Sequence, residues 1–299
     1  TVLHAIGGST NALIHITAVA ARLGIKIDLD MVDQLGRNVP VLVDLKPSGA
    51  HYMEHLYEDG GLMAVLRELK PHLYLDCLTV SGKTLGEEIE DAKVSKARKV
   101  IRISSDPIYP VGGLAILRGN LAPRGAVIKH SAASPDLLKH RGRAVVFSSL
   151  EDLALRIDSP DLDVNADDIL VLQNAGPKGA PGMPEAGYLP IPKKLAQAGV
   201  KDMVRISDAR MSGTAFGTIV LHITPESAEN GPLAVVRNGD MIVLDVSQRL
   251  LHLEVDDAEI RKRIDALESP AERLAIPESG YRRLYQTTVT QADIGCDFD

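Results

Sequence analysis

Four residues that interrupt regular structure, Pro107, Pro110, Gly112 and Gly113, fall within seven positions and divide the chain into two textures. Proline lacks the backbone N–H that a helix or ladder needs, and glycine loses the most conformational freedom on ordering, so no single element runs through this segment. Before it, apolar residues recur at helical spacing. After it come short β-prone runs. A boundary near residue 109 follows, with residues 1–108 expected in one domain and 109–299 in another. A length of 299 residues suits two domains, and a chain of that size buries roughly 75% of its unfolded surface.

In the first part, Gly7-Gly8-Ser9-Thr10 precedes apolar positions Ala12, Leu13, Ile16, Val19, Ala20 and Leu23. That spacing predicts a helix over about 11–23, capped by Ser9 or Thr10 and stopped by Gly24. Ser48 can cap a second helix to about Glu58, Gly60-Gly61 break it, and Leu62 to Leu69 read as a third. In the second part, the runs 126–128, 144–147, 169–172, 219–223, 233–236, 241–246 and 250–255 read as strands. Helical patterns at 150–157 and 191–198 interleave with them. The expected fold class is α/β: the end of an α/β N-terminal domain, then a mixed β/α domain with a closed or nearly closed sheet and flanking helices.

Composition removes several classes of function. Lys+Arg number 33 against 40 Asp+Glu, a net charge of −7, and the chain has no Trp and no basic run. Such a surface offers neither the charge nor the stacking platforms of a nucleic-acid binder. The most apolar early stretch, Ala12 to Ile25, is interrupted by His15 and Arg22, short of the roughly 20 apolar residues a membrane span requires. Cys77 and Cys296 make no CxxC and no zinc-ribbon spacing, and two thiols in so long a chain suit a reducing compartment, read here as cytoplasmic. No basic segment leads into an apolar one at the start, and the chain opens on Thr1, which suggests a fragment or a processed chain.

Five motifs could carry chemistry. Ser81-Gly82-Lys83-Thr84 resembles the tail of a phosphate loop, but the glycine that pattern needs upstream is Cys77. His51-Tyr52-Met53-Glu54-His55 satisfies H-x-x-E-H, which on a helix puts two imidazoles on one face beside a carboxylate, as in zinc peptidases. The bland alternative is a pair of exposed histidines. Gly7-Gly8-Ser9-Thr10-Asn11 offers unpaired N–H groups, a positive dipole end and three polar side chains, suited to a carboxylate or phosphate, or else simply a well-capped helix.

The other two motifs lie in the second part. Gly176 to Glu185 holds three Gly and three Pro in ten residues and ends in one carboxylate. So constrained a loop can present Glu185 to a hard divalent cation such as magnesium, or be a structural crossover. Ser207-Asp208-Ala209-Arg210-Met211-Ser212-Gly213-Thr214 follows the strand-like Met203 to Ile206 and can present the Ser212 hydroxyl at a strand end. A serine is a poor base unless a neighbouring cation or metal lowers its pKa, and the absence of G-x-S-x-G leaves a hydrolase triad unsupported.

Together these stretches resemble the dihydroxy-acid dehydratase and phosphogluconate dehydratase family. The likeness runs from HAIGGSTNALIH at the start, through PSG, DGG, DCLTVSGKTLGE, GPKGAPGMPE and SDARMSGTAFGT, to GCDFD at the end. SDARMSGTAFGT followed by VLHITPES is similar to the branch acting on sugar acids such as arabinonate and xylonate. The resemblance implies a swivelling β/α barrel for the second domain and an iron-sulfur hydro-lyase with magnesium that dehydrates an aldonate to a 2-keto-3-deoxy acid. It implies that Ser212 removes the C2 proton, Glu185 binds magnesium, and Ser9, Thr10, Asn11 and Thr214 contact substrate. The role of Arg210 stays open and could be structural.

Family members are roughly twice as long, and the resemblance places their cluster cysteines before the position of Thr1. Cys77 and Cys296 do not match them, so the chain alone is expected to be inactive. A homo-oligomer, dimer or tetramer, is implied, with no nucleic-acid or membrane partner. Two readings compete: a dihydroxy-acid dehydratase of branched-chain amino-acid biosynthesis, and a non-catalytic protein that binds sugar acids, or zinc through His51, Glu54 and His55.

Overall fold

The computed structural model describes residues 1–90, 92, 98–183, 189–212 and 216–298. Eight strands close into a barrel: β1 (Ala115–Gly119), β2 (Ala122–Ile128), β3 (Lys139–Phe147), β4 (Ile169–Leu172), β5 (Arg205–Ser207), β6 (Ile219–Thr224), β7 (Met241–Asp245) and β8 (Leu250–Leu253). Around the barrel the order is β1-β2-β6-β5-β4-β3-β7-β8. The strands β3 to β6 pair in parallel, whereas β1–β2, β2–β6, β3–β7 and β7–β8 are antiparallel.

Parallel neighbours need crossovers, and the helices Leu150–Arg156 and Lys193–Gln197 lie on two of them. That arrangement explains why β4 is apolar along its whole length and β6 at four of its six positions. Every residue of Ile169–Leu172 and Ile219–Thr224 is buried, one face inside the barrel and the other under the covering layer. Ile169, Val171, Ile206, Val220, Leu244 and Leu251 fill the interior, while Leu170, Leu172, Met203 and Leu221 pack outward beneath Phe147, Leu153 and Leu189.

The helices that precede β1 form a layer against one side of this barrel. The expected first helix is present as Thr10–Arg22, with Ser9 as its cap: the Ser9 Oγ accepts the Asn11 N–H at 3.2 Å. Leu13 of that helix, with Leu29 and Val32 of the helix Leu29–Asn38, packs on Ile116 of β1 and Val127 of β2. Asp33 reinforces the junction by accepting from the Ile116 N–H and from Arg249 Nε at 2.6 Å.

Two sequence expectations are corrected. The run 233–236 is not a strand but a 3-10 turn, Pro232–Val235. Its apolar side chains do reach the barrel core, but Gln173 Nε2 donates to the Leu233 and Val236 carbonyls, so a side chain takes the place of a ladder there. The second helix begins at Met53, not after Ser48. Residues 44–51 are folded back on themselves: Asp44 Oδ1 accepts the Ala50 N–H at 2.8 Å, and Leu45 bridges His51.

Candidate functional site

The turn that carries Ser212 leaves the end of β5 and is fixed from below by buried polar contacts. Ser207 Oγ donates to the Leu172 carbonyl at 2.9 Å and accepts the Ala209 N–H at 3.0 Å. Asp208 receives the Ala175 and Ser227 N–H groups on its two oxygens, 3.0 and 2.7 Å away. Burial pushes the Asp208 carboxyl above the usual carboxylate range. Arg210 Nε donates to the Met183 carbonyl at 2.7 Å. Arg210 thus ties the serine turn to the Gly- and Pro-rich loop, a structural task that sequence alone left open.

That loop is held from its other side by Glu226. The carboxylate accepts the Lys178 and Gly179 N–H groups at about 3.0 Å and Gln291 Nε2 at 2.5 Å. A Cβ on Gly176 would sit 2.6 Å from Glu226 Oε2, so only glycine allows the approach. Burial, and then the neighbouring Asp208, push the Glu226 pKa up to about 7. Glu185 and Thr214 lie outside the described residues.

The helix start of the first part meets this turn directly. Asn11 Nδ2 donates to the Met211 carbonyl at 2.8 Å, joining positions 200 residues apart. Thr10 is buried, and its hydroxyl lies 3.2 Å from Nε2 of His222 on β6. Burial, and then the Arg210 and His15 side chains nearby, push the His222 pKa down to about 3, so the ring is neutral. Ser9, Thr10 and Ser212 line one cavity of about 30 Å³ together with Lys129, over an apolar wall of Ile219 and Leu221. Three hydroxyls and the Lys129 amine thus converge on a space about the size of one water molecule, where they can hydrogen-bond a single polar group of a ligand.

Ser9, Thr10, Asn11 and Ser212 are therefore brought together. Lys129, His222, Asp208 and Glu226 complete the neighbourhood without having been singled out from sequence. For Lys129 the available signal was a cation directly after the apolar strand end Ala126-Val127-Ile128; for His222 and Glu226 it was the phrase VLHITPES.

The rival motifs go elsewhere. His51 precedes the helix Met53–Glu58, so the i, i+4 face that a zinc-peptidase pattern presumes is not built. His55 Nδ1 accepts the Tyr52 N–H, capping its own helix, and Glu54 extends into solvent. Among the described residues no three His, Cys, Asp or Glu side chains are grouped to hold a metal ion. Cys77 is exposed, and burial pushes the thiol of Cys296, which sits against Met183, up to about 12. In the SGKT stretch, Thr84 and Glu87 exchange hydrogen bonds at the start of the helix Leu85–Glu90, a capping role.

Comparison with known proteins agrees with this arrangement of parts. The family model for the dihydroxy-acid/6-phosphogluconate dehydratase C-terminal region matches residues 99–296, and the corresponding N-terminal model matches residues 1–88. An L-arabonate dehydratase of Azospirillum brasilense is 52% identical over 99% of this chain and 52% of its own length. A 6-deoxy-6-sulfo-D-gluconate dehydratase of Pseudomonas putida is 48% identical over 99% of this chain and 51% of its own. A dihydroxy-acid dehydratase of Acetivibrio thermocellus is 42% identical over 97% and 52%. The chain spans about half the length of these curated relatives. With its barrel region and its helical region each matched, the protein belongs to the dihydroxy-acid/6-phosphogluconate dehydratase family.

Proposed function

We propose that the full-length protein is a hydro-lyase that removes water from a sugar acid, an aldonate, and yields its 2-keto-3-deoxy acid. The observation that carries this reading is the convergence of the GGSTN helix start and the SDARMS turn on one cavity. The sugar-acid branch is favoured over dihydroxy-acid dehydration because the relatives named for sugar acids are 52% and 48% identical, against 42% for the dihydroxy-acid enzyme.

Ser212 is the base that takes the C2 proton. Ser9, Thr10, Asn11 and Thr214 hold the hydroxyl and carboxylate groups of the substrate, and Glu185 is a ligand for magnesium. The C2 proton is weakly acidic and hydroxide is a poor leaving group, so charge develops at two places in the transition state. An iron-sulfur cluster and magnesium supply Lewis acidity for such charges when bound. The described residues do not fit a cluster, since they hold only two thiols, of which Cys77 is exposed and Cys296 is kept protonated by burial. Its ligands are assigned to sequence outside this chain, and the chain alone is inactive.

What this chain's own residues do is orient and accept. The neutral His222 ring fixes the Thr10 hydroxyl, and the Asn11–Met211 bond sets the turn against the helix. The same reading carries a domain division near residue 109, a homo-oligomer and a cytoplasmic setting.

The test is a substrate panel with the full-length protein. Under this proposal kcat/KM for L-arabonate, D-xylonate or 6-deoxy-6-sulfo-D-gluconate exceeds that for a branched 2,3-dihydroxy acid by at least about tenfold. The reverse order transfers the protein to dihydroxy-acid dehydration.

A further inference from the structure

Of the residues lining the cavity around Ser212, the mechanism above leaves one ionisable side chain without a task. Lys129 follows β2, which pairs with β6, and that pairing brings it to the cavity that Ser212 lines. It is half-buried, and among the described residues no carboxylate lines the cavity to hold it as an ion pair. We propose that Lys129 and Ser212 act as a serine–lysine pair, in which the lysine amine receives the serine proton and so creates the base that removes the C2 proton. This rests on the assignment of Ser212 made above and adds a second catalytic residue to it.

The surroundings suit an amine that changes its charge. The helix start contributes the hydroxyls of Ser9 and Thr10, and β6 contributes apolar Ile219 and Leu221. Among the described residues no charged side chain is found to shift Lys129; on the elements around the cavity, His222 is kept neutral by burial, His130 is also shifted down by burial, and Arg210 is engaged with Met183. Burial alone pulls the Lys129 pKa below its ordinary value. A desolvated amine is the recognised way to make lysine a base near neutral pH, and a hydroxyl beside it becomes a usable base in turn.

The protons balance. Neutral Lys129 takes the Ser212 hydroxyl proton and becomes the ammonium. The Ser212 alkoxide takes the C2 proton and is again a hydroxyl, leaving an electron pair on the substrate that becomes the C2–C3 double bond as the C3–O bond breaks. The departing hydroxide takes the ammonium proton, directly or through solvent, and leaves as water. Lysine is restored, and the enol tautomerises to the keto acid.

The experiment uses the full-length enzyme with its cofactors and L-arabonate, comparing the parent with Lys129→Met, Lys129→Arg and Ser212→Ala. The pair predicts that kcat of Lys129→Met falls by about 10²-fold or more with KM little changed, and that the acidic limb of its kcat/KM profile disappears. Lys129→Arg keeps the charge but cannot take a proton, so it is equally slow. A Lys129→Met enzyme with parental rate and pH profile, or an active Lys129→Arg enzyme, overturns the proposal. If Ser212→Ala itself turns over normally, the assignment of the base fails and the pair with it; an inactive Ser212→Ala beside an unaffected Lys129→Met removes the pair alone. Should Lys129→Met fail to fold, competitive acetylation of the parent protein followed by mass spectrometry reads the titration of Lys129 directly, and half-reactivity at or above an ordinary lysine pKa of about 10.4 overturns the proposal.

Discussion

Asn11 and Met211, 200 positions apart, are joined by a hydrogen bond from the Asn11 side-chain amide to the Met211 backbone carbonyl at 2.8 Å. It lies beside the cavity that Ser9, Thr10 and Ser212 share, and it is where the helical layer touches the turn that carries the serine. A helix start on one element and a strand-end turn on another thus form one site.

Asn11→Ala removes that bond without altering the helix cap, which Ser9 supplies. The expected loss of stability is modest, about 1 kcal/mol. The loss of kcat in the full-length enzyme is expected to be larger in proportion, because a misplaced base costs more than a missing contact. Denaturant unfolding and steady-state kinetics on the same variant check both; a fall in stability with unchanged kcat contradicts the positioning role.

Glu226 gives a pH signature. Its carboxyl, normally near 4.5, is raised to about 7 by burial and by the nearby Asp208. A group raised on folding contributes stability that is fully present below its unfolded pKa and lost as pH rises through the folded value. The thermal midpoint should therefore decline from about pH 4.5 to about 7 through this group, and Glu226→Gln should flatten that part of the curve. Parallel curves for the two proteins across the same window would show that Glu226 is not the group responsible.

The buried ion pair of Asp202 and Arg205, 2.8 Å apart with both side chains only 4% exposed, fixes the start of β5. Asp202 also accepts the Thr218 N–H and hydroxyl, tying β5 to the start of β6 on either side of the serine turn. Asp202→Ala leaves the arginine unpaired in the interior and should cost about 3–5 kcal/mol. Urea unfolding measures it, and a loss below about 1 kcal/mol would mean that the pair is replaceable.

Glu185→Gln in the full-length enzyme should raise the magnesium concentration for half-maximal activity by about tenfold or more, since the substitution removes an anionic oxygen donor from a hard cation. An unchanged magnesium requirement would remove Glu185 from the ligand set.

Much of this architecture was legible in the residues. Ser9 ahead of Leu13, Ile16 and Ala20 announced the first helix within one residue at each end, because cap chemistry and apolar period agree there. The all-apolar run of β4 marked a strand, as did 219–223 of β6 despite His222, but neither run told how the strands pair. The run 233–236 read as another strand because short apolar runs look alike, and only the Gln173 side chain, about 60 residues away, decides what its carbonyls bond to. The strand-like stretch Met203 to Ile206 pointed to β5, two residues early at its start, whereas the helices Leu29–Asn38, Asp257–Asp265 and Gly280–Thr288 expose mostly polar faces and were not read. In the site, Ser9, Thr10, Asn11 and Ser212 stood out through glycine-punctuated motifs. Lys129 and Glu226 did not, because what distinguishes them is burial beside partners distant in sequence.

The central claim is that Ser212 is the base of a sugar-acid dehydratase, and Ser212→Ala in the full-length enzyme tests it most directly. Its turnover of L-arabonate to the 2-keto-3-deoxy acid is measured beside its visible absorption spectrum. A loss of about 10²–10⁴-fold in kcat, with the spectrum of the bound cofactor unchanged, is the expected result. Near-parental turnover in that variant would contradict it.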